Sequence, residues 1–61
     1  MNNLGILQSL LKKHDWELNI RATVTGSIIA EIMDIHDTCV YYTVLEDLEL
    51  CINDIVKKFT N

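Results

Sequence analysis

Apolar residues at Leu4, Leu7, Leu10 and Leu11, with His14 on the same stripe, repeat at the 3.6-residue period of an amphipathic helix. The spacing predicts a helix over Leu4–His14. Asn2 or Asn3 stands ready to cap it, and Lys12, Lys13 and His14 sit where positive charge suits the end of the helix dipole. Gly5 weakens the first turn. From Trp16 the period changes to two: Trp16, Leu18, Ile20, Ala22 and Val24 alternate with Glu17, Asn19, Arg21 and Thr23. Such alternation marks a strand with one wet face. Thr25-Gly26-Ser27 supplies a turn, and Ile28–Ile35 is a second run rich in β-branched residues. The connection is too short for a crossover, so the two strands form a hairpin.

The faces of that hairpin follow from its register. A two-residue turn at Gly26-Ser27 would set Glu31 on the core face, whereas a three-residue turn, Thr25–Ser27, keeps it out. The expected pairs are then Val24 with Ile28, Ala22 with Ala30 and Ile20 with Ile32, with Arg21 across from Glu31 on the other face. His36-Asp37-Thr38 reads as a polar turn and Cys39–Thr43 as a short third strand. Thr43-Val44-Leu45-Glu46 matches a capping box. Leu45, Leu48, Ile52, Ile55 and Phe59 then repeat at spacings of three and four, with acids opening this second helix and Lys57 and Lys58 closing it. The expected architecture is α+β, a single αβββα domain over residues 1–61, with both helices on one face of a three-stranded antiparallel sheet.

Composition adds a constraint. A chain of 61 residues, 49% of them hydrophobic, buries only ~60% of its unfolded surface and sits near the lower limit of self-sufficiency. Disulfides, a metal or a partner usually supply the deficit. Cys39 and Cys51 read as reduced, buried residues of an intracellular chain. Met1 leads into Asn2, Asn3 and Leu4 without a basic region or a long apolar stretch, so neither a secretory signal nor a membrane span is expected. The expected location is cytoplasmic, and partnership is the remaining route to stability.

With both helices over the face that carries Trp16, Leu18, Ile20 and Val24, the register turns Ile29, Met33 and Ile35 outward. Either Tyr42 with Val40 or Tyr41 with Cys39 joins them. A contiguous apolar patch of this kind on a small protein marks an interaction surface. A homodimer that covers the open face, or adds strand to strand at an edge, is the first expectation. Charge offers a second surface. Nine Asp and Glu stand against five Lys and Arg, and no basic residue lies between Arg21 and Lys57, leaving the centre at −7 and the flanks at +3. If the second turn adjoins the start of the second helix, Asp34, Asp37, Glu46, Asp47 and Glu49 form one acidic end able to steer a basic partner. The acidic balance is the wrong sign for a nucleic-acid footprint.

Catalytic chemistry is not expected. His14-Asp15 and His36-Asp37 lack the companion ligands of a zinc site, and no cofactor is implied. Neither cysteine sits in a setting that would activate a thiol, and two glycines cannot make a phosphate-binding loop.

The αβββα order resembles the double-stranded RNA-binding domain. That family grips phosphates with a Lys-rich motif at the start of its second helix. Glu46-Asp47-Leu48-Glu49 stands there instead, so the resemblance implies topology and no RNA-binding residues. The chain is also similar to small orphan proteins of phages and mobile elements, anti-CRISPR proteins among them. The likeness runs through Lys12-Lys13-His14-Asp15-Trp16, the hairpin, and Thr43 to Ile52 leading to Lys57-Lys58-Phe59. Its Asn, Ile, Lys and Asp usage suits an AT-rich genome. This resemblance implies a non-enzymatic inhibitor in a bacterial host, contacting a defence or nucleic-acid-processing protein with a basic or apolar surface. The expected contact residues are Ile29, Met33, Ile35, Tyr41, Tyr42, Glu46, Asp47 and Glu49; the alternative is a structural homodimer without an inhibitory target.

Overall fold

The computed structural model describes residues 2–61. Helix α1 spans Asn3–His14, strands β1, β2 and β3 span Glu17–Ala22, Ile28–Met33 and Cys39–Leu45, and helix α2 spans Leu48–Thr60. The strands form one antiparallel sheet in the order β1-β2-β3. This is the expected αβββα architecture.

The core forms where the alternation of β2 meets the stripes of both helices. Ala30 and Ile32 are fully buried on one face of β2, beneath Leu7 of α1 and Cys51, Ile55 and Val56 of α2. Leu18, Tyr41 and Leu45 pack around this cluster from the neighbouring strands. The helices run side by side in the same direction. Leu4 and Leu48 line one groove at their starts, Asn3 Nδ2 donates to Asn53 Oδ1 at mid-α2 at 2.6 Å, and Trp16, just past α1, packs on Phe59 near the end of α2. Burying each large aliphatic side chain contributes ~1.5–3 kcal/mol, and only a few positions do so completely.

Both hairpins close on turns of the same design. Thr23 N–H donates to Ser27 O at 2.8 Å and Gly26 N–H to Thr23 O at 3.1 Å, while Thr23 Oγ1 accepts from Ser27 N–H at 3.0 Å. In the second turn Asp34 N–H donates to Thr38 O at 3.0 Å and Asp37 N–H to Asp34 O at 3.1 Å. There Asp34 Oδ1 accepts from Thr38 N–H at 3.0 Å and from His36 N–H at 2.8 Å. Each is a three-residue loop whose last member is left-handed: Gly26 at φ 91° and Asp37 at φ 60°.

This geometry corrects the expected register. A loop at Thr25–Ser27 would have put Ser27 in the left-handed position. The chain instead places Gly26 there, which tolerates it without a Cβ clash. The loop therefore becomes Val24–Gly26, and the pairs become Ala22 with Ile28, Ile20 with Ala30 and Leu18 with Ile32. The displacement is two residues along β1, so every side chain keeps its predicted face. Val24 leaves the core and is fully exposed at the loop tip.

The start of the second helix also differs. Thr43 does not cap it, because β3 continues through Leu45 with Thr43 paired to Ala30. Asp47 is the cap, its side chain accepting from Leu50 N–H at 2.9 Å. Sheet pairing satisfies the backbone at Thr43, so the helix starts at the next residue able to cap. At the first helix Asn2 caps as expected, accepting from Gly5 N–H at 2.8 Å.

Two stability measurements check this account by urea denaturation. A chain of 61 residues has ~3–9 kcal/mol of stability in total. Ile55→Ala should remove ~2–5 kcal/mol of it, leaving a marginal or unfolded protein. Asp47→Ala should cost ~0.5–2 kcal/mol through the lost cap. A neutral Ile55→Ala would place the core elsewhere.

Candidate functional site: the open face of the sheet

The face of the sheet turned away from the helices is set by the same alternation that builds the core. Three rows cross it. Glu17 and Met33 pair in the first, Asn19, Glu31 and Tyr42 in the second, and Arg21, Ile29 and Val44 in the third. Among the described residues no element lies over these rows: α1 and α2 both pack with Ala30 and Ile32 on the opposite side.

Its two halves differ chemically. Along β1 the face is polar, with Glu17, Asn19 and Arg21 all exposed. Along β2 and β3 it carries Ile29 and Met33, half-buried, and Val44 and Tyr42, exposed, the latter at 63%. Glu31 stands at the centre, between Ile29 and Met33 on the middle strand. Its Oε1 accepts from Arg21 Nη2 in an ion pair that runs diagonally from the third row to the central one. The expected pairing of these two residues is thus present, although Arg21 lies directly opposite Ile29 and Asn19 opposite Glu31.

The predicted contact residues separate in the structure. Ile29, Met33 and Tyr42 share the open face. Tyr41 does not: it faces the helices, where its hydroxyl donates to Asp54 Oδ2 at 2.6 Å and its ring meets Phe59 edge-on at 5.7 Å. Of the two sets considered for β3, the one containing Tyr42 is outward. Ile35 is not on the sheet either. β2 ends at Met33, and Ile35 lies in the turn, 72% exposed. Val44, which sequence reasoning assigned to a helix start, is on the face because β3 runs on to Leu45. The signal for it was present in the β-branched and aromatic run Val40–Val44, but the capping-box match obscured it.

The single acidic end does not form. Asp34 and Asp37 flank the loop before Cys39, whereas Glu46, Asp47 and Glu49 follow Leu45 at the other end of β3. Seven residues of strand at ~3.3 Å each hold the two groups ~20 Å apart, beyond a Debye length in physiological salt. Asp47 is occupied as a helix cap. Glu49 borders an open groove of about 570 Å³ between the helix starts, lined by Leu4, Leu48 and Ile52. Asp34 and Asp37 instead border a shallow depression of about 520 Å³ with Asp15, Glu17, Trp16 and Ile35. Among the described residues, no three His, Cys, Asp or Glu side chains are placed to hold a metal ion.

Both sheet edges are protected. β1 presents Glu17 and Arg21, and β3 is broken by a bulge in which Val40 is the extra residue between the Met33–Cys39 and Ile32–Tyr41 pairs. Charge and bulges are what discourage another strand from adding to an edge. Cysteine placement is mixed: Cys51 is buried, its thiol 3.6 Å from Ile28 O, while Cys39 is exposed against expectation. Trp16 is half-buried beside the core, stacked on His14 with centroids 4.3 Å apart. Among the described residues, no helix is long and apolar enough to cross a membrane.

No family model, curated protein or solved structure matches the chain.

Two titrations follow from these contacts. The hydrogen bond donated to Asp54, with burial, raises the Tyr41 pKa above its ordinary value near 10. A raised folded-state pKa means that its contribution is complete below pH ~10 and lost as pH rises through the raised value. The backbone N–H groups of Thr38 and His36 hold Asp34 below the ordinary carboxylate range. Its contribution is therefore complete above ordinary carboxylate pKa values and lost as pH falls through the lowered one. Thermal melts across pH should show both limbs; Tyr41→Phe should flatten only the alkaline one and Asp34→Ala only the acid one.

Proposed function

We propose that this chain is a non-enzymatic protein-binding module that docks a partner on the open face of its sheet. One observation carries the reading: Ile29, Met33, Tyr42 and Val44 form an apolar band around Glu31 on a face that neither helix covers. Leaving such a band in water is unfavourable, and on small proteins it marks interaction surfaces. Around it the arrangement suits binding rather than aggregation, since charge and a bulge guard the edges and an ion pair interrupts the band at its centre. The acids Glu46 and Glu49 lie ahead of and within the first turn of α2, off this face, and serve solubility and the helix dipole.

The narrower role, inhibition of a host defence or nucleic-acid-processing protein in the manner of phage anti-defence proteins, rests on the resemblance in sequence and selects the first targets to assay. The test is capture of purified candidate targets by wild type, Met33→Asp and Gln8→Asp. Binding through the open face should be lost in Met33→Asp and kept in Gln8→Asp, which alters an exposed position of α1. It should also persist from about 0.1 M to 1 M salt, where the Debye length falls from ~10 to ~3 Å. A steep fall with salt, together with full binding by Met33→Asp, would move the site to the acids.

A further inference from the structure

Resting on that reading, we infer that the open face selects a different protein that offers one Arg or Lys within an apolar surface, rather than a second copy of this chain. The reason is Glu31. It occupies the middle of the middle row, with Asn19 and Tyr42 on either side and Met33 and Ile29 before and after it on the face.

Two copies stacked face to face by two-fold symmetry must have their axis in the plane between the sheets. Any such axis over the centre of the face, along the strands or across them, sets Glu31 against the Glu31 of the partner subunit. Arg21 engages Glu31 of its own chain through Oε1 only, so such a stack sets two acceptor oxygens, Oε2 against Oε2, with no donor between them. Sliding the copies apart relieves the repulsion only by uncovering surface. Three strands at ~4.8 Å and six residues at ~3.3 Å project a face of roughly 300 Å², well under the ~800 Å² per partner of a standard stable complex. An offset of a few ångströms takes a large share of so small a face, and charge and the bulge discourage strand addition at the edges.

A different protein escapes both limits. Without the symmetry constraint it can extend past these rows onto Val40 and the turns. It can also place a cation over Glu31, whose Oε2 has no hydrogen-bond partner among the described residues. Covering that oxygen with apolar groups alone would strip its water and return nothing. The three charged groups of the face, Glu17, Arg21 and Glu31, sum to −1, which one Arg or Lys would balance. The occupant is therefore an apolar surface with a single basic residue near its middle. A uniformly basic or uniformly apolar surface fits less well.

Two synthetic amphipathic helical peptides, identical except for Arg or Gln at the centre of a leucine face, test this by NMR titration of the full chain at pH 7. The Arg peptide should shift Ile29, Met33 and Val44 methyl signals and bind at least ~10-fold more tightly than the Gln peptide. Glu31→Gln, with its fold checked by circular dichroism, should erase that preference. Sedimentation at ~100 µM protein should show a monomer. Equal binding of the two peptides at the open face would overturn the cation requirement while leaving the face as the site. Shifts confined to other surfaces, or no binding of either peptide at millimolar concentration, would overturn both. A wild-type dimer abolished by Met33→Asp would assign the face to a second copy.

Discussion

The seating of Leu7 and Ile55 on Ala30 and Ile32 is the constraint from which the rest of this molecule follows. β2 is the only strand with two neighbours, and two of its inward side chains are fully buried. Because strand side chains alternate, committing Ala30 and Ile32 to the helices commits Ile29, Glu31 and Met33 to the other side. Among the described residues no third layer lies there. The core and the open face are thus two consequences of one alternation.

The two turns protect that arrangement. Each ends its three-residue loop in a left-handed residue and ties its first side chain to the backbone four residues on. Gly26 makes this free of steric cost in one turn. In the other, Asp37 accepts it with the tolerance that short polar residues have for this conformation. Fixed loops pin the register, and a pinned register keeps Glu31 and Arg21 out of the core, where an uncompensated carboxylate would unfold a protein of such slight stability.

Charge is distributed to the same end. The end of α1 and both ends of α2 carry charges that complement their dipoles, and the acids of the hairpin turn lie a strand's length from those before α2. What remains on the open face is one ion pair and one further carboxylate among apolar groups. That is a surface with a chemical preference, set against self-stacking by the position of a single residue.

Periodicity, with the length of the first turn, determined the element order, the two-layer class, part of the core (Leu7, Ala30, Ile32 and Ile55, but not Ile20 or Val24) and the face to which Ile29, Met33 and the Arg21–Glu31 pair belong. Those properties depend on spacing along one element, and spacing is local. Where each turn closed was not local. Gly26 had to be weighed against Ser27 for the left-handed position, and Thr43 was claimed by Ala30 across the sheet before it could cap a helix. The same competition decided the site. It carried Val44 onto the open face, turned Tyr41 toward Asp54 and left Ile35 at a loop tip. It also separated two acidic groups that are close in sequence, because β3 runs between them as an extended strand. Only pairing between strands could choose among these outcomes, since each was locally acceptable and the choice was made by which backbone groups found partners.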